Sequence, residues 1–193
     1  MIKETLQVGD SRLKAPNQEV TDFNDPKVHQ VVDDLVETMR AADLIGLAAP
    51  QIGENWRIFV TEPRETKTRT GDQTDVLRVF INPEVVEASK EGVMIYEGCG
   101  CVAKGTLFGP VSRPREVTIE AQDQTGKRFS LKCDGILGRV AQHENDHMSG
   151  IEFTEKISDY RKLMSLEHYV AQIRNSPEQK QASIITVKEY QEI

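Results

Sequence analysis

The feature that most constrains this chain is the run His143-Glu144-Asn145-Asp146-His147. An H-E-x-x-H on a helix places two imidazoles at i and i+4, on one face and one turn apart. That is the separation two ligands of a single ion require. Glu144 follows the first ligand directly and can reach a water held beside the ion. Ile136 and Val140 precede His143 by seven and three residues, so the ligand face is also the apolar face. The helix is therefore predicted to be buried, with its imidazoles in a dry cleft. There an ion lowers the pKa of a water, toward about 7 for zinc.

Two histidines leave a third ligand to be found. Metzincin proteases take it shortly after the helix, but His168 is the only later histidine and does not have that spacing. Glu152 and Glu155 offer carboxylates just past Gly150, where the helix should end. Upstream, Glu97-Gly98-Cys99-Gly100-Cys101 offers a sulfur between two glycines. A thiolate with two imidazoles leaves one position open, the layout of a catalytic site. Cys101 competes with Cys99 for that role, or the two pair by oxidation. The plainer alternative is a glycine turn with small core cysteines.

The rest of the chain bounds the setting. With 193 residues it is expected to form one domain, or one domain with a terminal extension; residues 1–175 are expected to be the catalytic domain and 176–193 a polar tail. A net charge of −7 speaks against direct nucleic-acid binding or an anionic membrane as the main partner. No apolar run approaches the roughly 18 residues of a membrane span. The opening Met1-Ile2-Lys3-Glu4-Thr5 has no apolar signal core, so a cytoplasmic location is expected. Three cysteines make a poor disulfide framework.

Periodicity predicts a first helix from Pro26 to about Ala42, with Val28, Val31, Val32, Leu35, Val36 and Met39 on one face. Ile45 to Gly53, with two glycines and a proline, reads as backbone packed close to something. Trp56 to Val60 and Leu77 to Ile81 read as strands around a polar, exposed loop. Val117 to Ala121 and Phe129 to Cys133 alternate as a hairpin about Asp123-Gln124-Thr125-Gly126, with Cys133 facing the core. Asp134 is placed to cap the H-E-x-x-H helix, which Gly150 closes. A further helix is predicted over Ile157 to Ile173. Strands and helices are segregated, which makes the fold class α+β: mostly antiparallel sheets around a central buried helix, with a C-terminal helix.

Three separated segments resemble peptide deformylase. Ile45 to Gly53 is similar to that family's G-I-G-L-A-A-P-Q, Glu97 to Cys101 to its E-G-C-L-S, and Gln142 to His147 to its Q-H-E-x-D-H. Weaker likeness extends over Gln7 to Leu13 and over Arg113 to Gly126. The resemblance implies that Cys99, His143 and His147 bind one divalent metal ion. Ferrous iron is expected, with zinc, nickel or cobalt as substitutes. It implies that Glu144 passes a proton from the attacking water to the leaving amine, and that Gln51 and the backbone N–H of Gly100 donate to the formyl oxygen. Ile45, Ile95, Ile136 and the stem of Arg139 are expected to line a methionine pocket, and Gly46 to pair its backbone with the peptide. The implied substrate is the N-formylmethionine end of a nascent peptide, met near the ribosome by a monomer, with formate released.

The chain departs from the family pattern in four places. Leu44 replaces the first glycine of the first segment, Gly100 and Cys101 replace leucine and serine, and Ala103 stands where proline is common. Cys99 to Arg113 also spans about two more residues than usual. Losing a side chain at 100 is expected to widen the rim beside the ion. Such a change keeps open a deformylase for another N-formyl compound, or a non-catalytic metal- and peptide-binding relative. A zinc endopeptidase is disfavoured by the missing downstream ligand.

Overall fold

Asp25 starts the first helix: its carboxylate accepts the Lys27 backbone N–H at 2.8 Å, and Pro26 takes the first helical position. A computed structural model describes residues 1–67, 69–71 and 73–193, and in it α1 runs Pro26–Ala41. Val28, Val31, Val32, Leu35 and Met39 are buried. They pack on two short strands, β1 (Gly46–Ala48) and β2 (Ile58–Thr61).

The next strand, β3 (Arg78–Ala88), outruns its expected end at Ile81. A shift in register between Ile81 and Glu84 carries it past Pro83, whose missing N–H then costs no ladder bond. Asn82 sits there with φ +51 and ties the irregularity to Val20, its side chain accepting the Val20 N–H and donating to the Val20 carbonyl, both at 2.9 Å. Two strands that periodicity did not reveal follow, β4 (Gly92–Gly98) and β5 (Leu107–Pro114). The expected hairpin is present as β6 (Val117–Gln122) and β7 (Arg128–Cys133), with Val117 opposite Cys133 and Ile119 opposite Leu131. Cys133 is fully buried.

The H-E-x-x-H helix, α2, spans Gly135–His147, and nearly all of it is buried. Leu137 and Ala141 pack on Phe59, Phe80, Ile119 and Leu131. The opposite face reaches β4 and β5 through polar side chains: Gln142 donates to the Pro114 carbonyl at 3.1 Å, and Arg139 to the Val93 carbonyl at 2.5 Å.

The C-terminal region departs most from expectation. The helix predicted over 157–173 is a short turn at Tyr160–Lys162, a strand β8 (Met164–Ser165) and a helix α3 (Leu166–Gln172). Ser165 explains the break, because it pairs with Leu107 of β5 while its hydroxyl caps α3. Residues 176–193, read as a polar tail, carry α4 (Pro177–Ser183) and β9 (Lys188–Glu192), and β9 pairs with β7 from Phe129 to Cys133. Asp134 does not cap α2 with its side chain. Its carboxylate accepts the N–H groups of Thr186 and Val187 at 2.7 and 2.9 Å. Gly135, at φ +56, lies so close under the Ile184 carbonyl that a Cβ would collide with it.

Among the described residues the strands form two antiparallel sheets, β1-β2-β3-β6-β7-β9 and β4-β5-β8, with α2 between them. The fold class is α+β, as expected. None of the helices is long and apolar enough to cross a membrane, among the described residues.

Candidate metal centre

The ligand atoms of Cys99, His143 and His147 lie within 4.8 Å of one another, and all three side chains are buried. Helix α2 supplies the imidazoles one turn apart, with ring centroids 5.3 Å apart. The turn after β4 brings the sulfur to 3.5 Å from His147 Nε2. The alternative ligands lie elsewhere: Glu152 is paired with Lys14, Glu155 bonds Lys14 at 2.5 Å, and Cys101 is outside the ligand group.

The first imidazole is held by a carboxylate. His143 Nδ1 is 2.9 Å from a Glu97 carboxylate oxygen, which fixes the ring and leaves Nε2 as the lone-pair donor. Glu97 also accepts from Arg113 at 2.7 and 2.9 Å and from Arg139 at 2.8 Å. Burial pushes the Glu97 carboxyl up, but Arg113 and His143 more than offset this and hold it well below the usual carboxylate range. Arg113 reaches Asp146 on α2 as well, at 2.6 Å.

Burial, with the positive charges of Arg113 and Lys14 nearby, drives the His147 pKa well below the usual value. The ring is therefore neutral, as a ligand must be. The Cys99 thiol is raised by its hydrogen bond with Cys101 and by burial. A neutral imidazole, a desolvated sulfur and an imidazole oriented by a carboxylate suit a divalent cation, which would draw the proton from the sulfur.

Glu144 is buried beside this cluster, and its Oε2 has no hydrogen-bond partner among the described residues. Burial lifts its pKa to about 7. Gly46 makes room for it: a Cβ there would stand 2.5 Å from Glu144 Oε1 and from Val140 Cγ2. Gln51 is fixed at both ends of its amide, Oε1 accepting the Ala48 N–H at 2.6 Å and Nε2 donating to Cys99 Sγ at 3.2 Å.

A cleft of about 150 Å³ opens over these groups. Gln51, Cys99, Gly100, His143 and Glu144 line it, as do Ile45, Gly46, Ile95, Ile136 and Arg139. His147 is not among the lining residues. Arg139 contributes its stem, since its guanidinium is occupied by Glu97 and by the carbonyls of Val93 and Val111.

The rim expected to be widened at Gly100 is filled by Leu44, whose Cδ1 lies 3.3 Å from where a Cβ at 100 would stand. Sequence reasoning also missed Arg69, Phe108, Tyr169, Arg174 and Gln179, which complete the cleft. Arg69 comes from the polar loop expected to face solvent, Tyr169 lies on α3, Arg174 just beyond it, and Gln179 on α4. Among these, only the basic side chains carried a chemical signal, and nothing in their spacing tied them to the site.

Comparison with known proteins agrees with this geometry. A family model described as polypeptide deformylase matches residues 2–163. The peptide deformylase of Erythrobacter litoralis is 38% identical over 186 residues, covering 86% of this chain and 94% of that protein. A crystal structure of class I type b peptide deformylase from Acinetobacter baumannii with Met-Ala-Ser bound superposes with a TM-score of 0.74 at 27% identity, covering 80% of this chain and 99% of that one. A probable peptide deformylase from Synechococcus phage S-SSM7 superposes with a TM-score of 0.70 at 34% identity, with the same two coverages. With two sheets around the H-E-x-x-H helix and a family match over most of its length, this chain belongs to the peptide deformylase family.

Proposed function

We propose that the chain removes the formyl group from the N-terminal formylmethionine of nascent peptides, releasing formate. The observation that carries this reading is the convergence of one sulfur and two imidazoles beside a buried carboxylate with an unpartnered oxygen. Cys99, His143 and His147 would hold one divalent ion, ferrous iron by family resemblance, with zinc, nickel or cobalt as substitutes. When bound, such an ion supplies Lewis acidity to a water and to the formyl oxygen.

Glu144 accepts a proton as the water oxygen attacks the formyl carbon. It then delivers that proton to the peptide nitrogen as the carbon–nitrogen bond breaks, leaving formate and a free amino terminus. Gln51 Nε2 and the Gly100 N–H donate to the formyl oxygen as it gains charge, each contributing roughly 3 kcal/mol. Gln51 is suited to this because Ala48 fixes its other amide atom. Strand β1 lies at the edge of its sheet and Gly46 faces the cleft, so an extended peptide adds alongside it as a further strand. The methionine side chain enters between Ile45, Ile95, Ile136 and the stem of Arg139. The enzyme works in this reading as a cytoplasmic monomer on chains leaving the ribosome.

The test is formate release from a formyl-Met peptide by protein purified without oxygen and loaded with iron or nickel. Glu144→Gln should keep the ion and lose about 10²- to 10⁴-fold in rate. A fully loaded wild-type protein that releases no formate would sink the proposal.

A further inference from the structure

The cleft does not end at the methionine pocket. Four of its residues, Arg69, Tyr169, Arg174 and Gln179, also wall a second cavity of about 300 Å³ between the 62–75 loop and the α3–α4 segment. Among the described residues lining that cavity are three cations, Arg69, Arg174 and Lys180, and no carboxylate. The remaining polar lining consists of amides and hydroxyls, including Gln73 and Ser183. The chain as a whole carries 31 acidic and 24 basic residues, so the described lining of this cavity reverses the overall charge balance locally.

The three cations are also unspent. None of them forms an ion pair among the described residues, whereas Arg64, Arg78, Arg113, Arg139 and Lys188 do. The Arg174 guanidinium lies over the Tyr169 ring at 4.8 Å, and its buried Nε has no hydrogen-bond partner. Burial and the neighbouring Arg174 lower the Arg69 pKa to about 10, as expected for two cations close together in a desolvated wall. An arginine pair of this kind matches a carboxylate through several charge-assisted hydrogen bonds. Arg174 and Lys180 lie beyond residue 163, outside the span matched by the family model.

We propose that this cavity is an acidic subsite, in which Arg69 and Arg174 take the side-chain carboxylate of an Asp or Glu located downstream of the formylmethionine. The inference rests on the deformylase reading, because the two cavities share a wall and one extended peptide fills both. It deepens that reading by naming a substrate class, formyl-Met peptides with an early acidic residue. Lys180, at the outer edge, steers such peptides inward.

The experiment compares unformylated product peptides that carry Glu or Gln at the second, third or fourth position. Binding to metal-loaded protein is read by calorimetry, so the result does not depend on turnover. At one position the Glu peptide should bind about tenfold tighter than its Gln counterpart, the size expected for hydrogen bonds to a charged group. Added salt should shrink that ratio. Arg174→Gln combined with Arg69→Gln should bring it to about one, while Arg174→Lys keeps part of it. Thermal unfolding of each variant checks that the fold is intact. A ratio of one at every position in the wild-type protein, or a ratio that survives loss of both arginines, overturns the subsite. Failure to release formate from a neutral formyl-Met peptide would instead count against the proposed reaction, and leaves the binding ratio readable.

Discussion

Leu44 occupies the space that a side chain at Gly100 would need, its Cδ1 lying 3.3 Å from where that Cβ would stand. The two positions are 56 residues apart in sequence and face each other across the cleft rim. Leu44 is firmly placed: its N–H donates to the Met39 carbonyl at 2.9 Å, and its own carbonyl accepts from Arg64 at 2.9 Å. Gly100 is tethered from the other side by Gln7, which donates to its carbonyl at 2.8 Å. The rim beside the candidate metal centre is therefore closed by a different residue, not left open.

This pairing sets a double-mutant test. Gly100→Leu alone should cost about 1–3 kcal/mol through overpacking, and Leu44→Gly alone about 2–3 kcal/mol through lost packing and added backbone freedom. The double variant should lose clearly less than the sum, both in denaturant midpoint and in kcat/KM. Strict additivity would show that the two side-chain positions do not share the rim.

Gly46→Ala should separate metal binding from turnover. The new methyl group must displace Glu144 or Val140, whose atoms are its three nearest neighbours. Metal content should stay at one ion per chain while kcat falls about 10²-fold, the effect of moving a catalytic group by about an ångström. An unchanged kcat would mean that the Glu144 position seen here is not the working one.

Glu144 also predicts how ion-free protein responds to pH. Its folded pKa is raised to about 7 from an ordinary value of 4.5, so the folded state holds the extra proton between those values. Stability therefore falls as pH rises from about 4.5 to 7, by on the order of 3 kcal/mol at most, and stays reduced above it. Glu144→Gln should flatten that slope in urea titrations of metal-stripped protein. A bound cation should flatten it too, by drawing the carboxyl pKa down.

Glu97 has the opposite sign. Its folded pKa is held well below 4.5, so its contribution is complete above that value and is lost as pH falls through the folded pKa. Glu97→Gln strips a buried charge from Arg113 and Arg139 and reorients His143. We expect a loss of about 3–5 kcal/mol in stability and about 10- to 100-fold weaker metal binding, measured by thermal unfolding and competition with a chelator.

Cutting the chain after Asn175 tests whether residues 1–175 suffice as a catalytic domain. The shortened chain keeps all three candidate ligands. It loses α4, the β9 cover of the β7 edge, and the anchors of Asp134 at Thr186 and Val187. Its Tm should drop by on the order of 10 °C, with increased association through the bared strand edge. An unchanged Tm would make the segment dispensable to folding.

Local chemistry made much of this protein legible from sequence alone. The i, i+4 histidines with an apolar residue at i−3 identified a buried helix with a candidate ligand face, and Asp25-Pro26 marked the start of α1. The alternation around Asp123 to Gly126 defined the β6–β7 hairpin. These features are encoded within a few residues, so periodicity and capping suffice to read them. The choice of sulfur over the downstream carboxylates, the Gly46 space for Glu144, and the Leu44 filling of the Gly100 gap were decided by tertiary structure. So were the folding of residues 176–193 onto β7 and the collection of Arg69 and Arg174 on one wall. Each joins positions that are distant along the chain, and only packing determines which side chain fills a space or meets an unpaired charge.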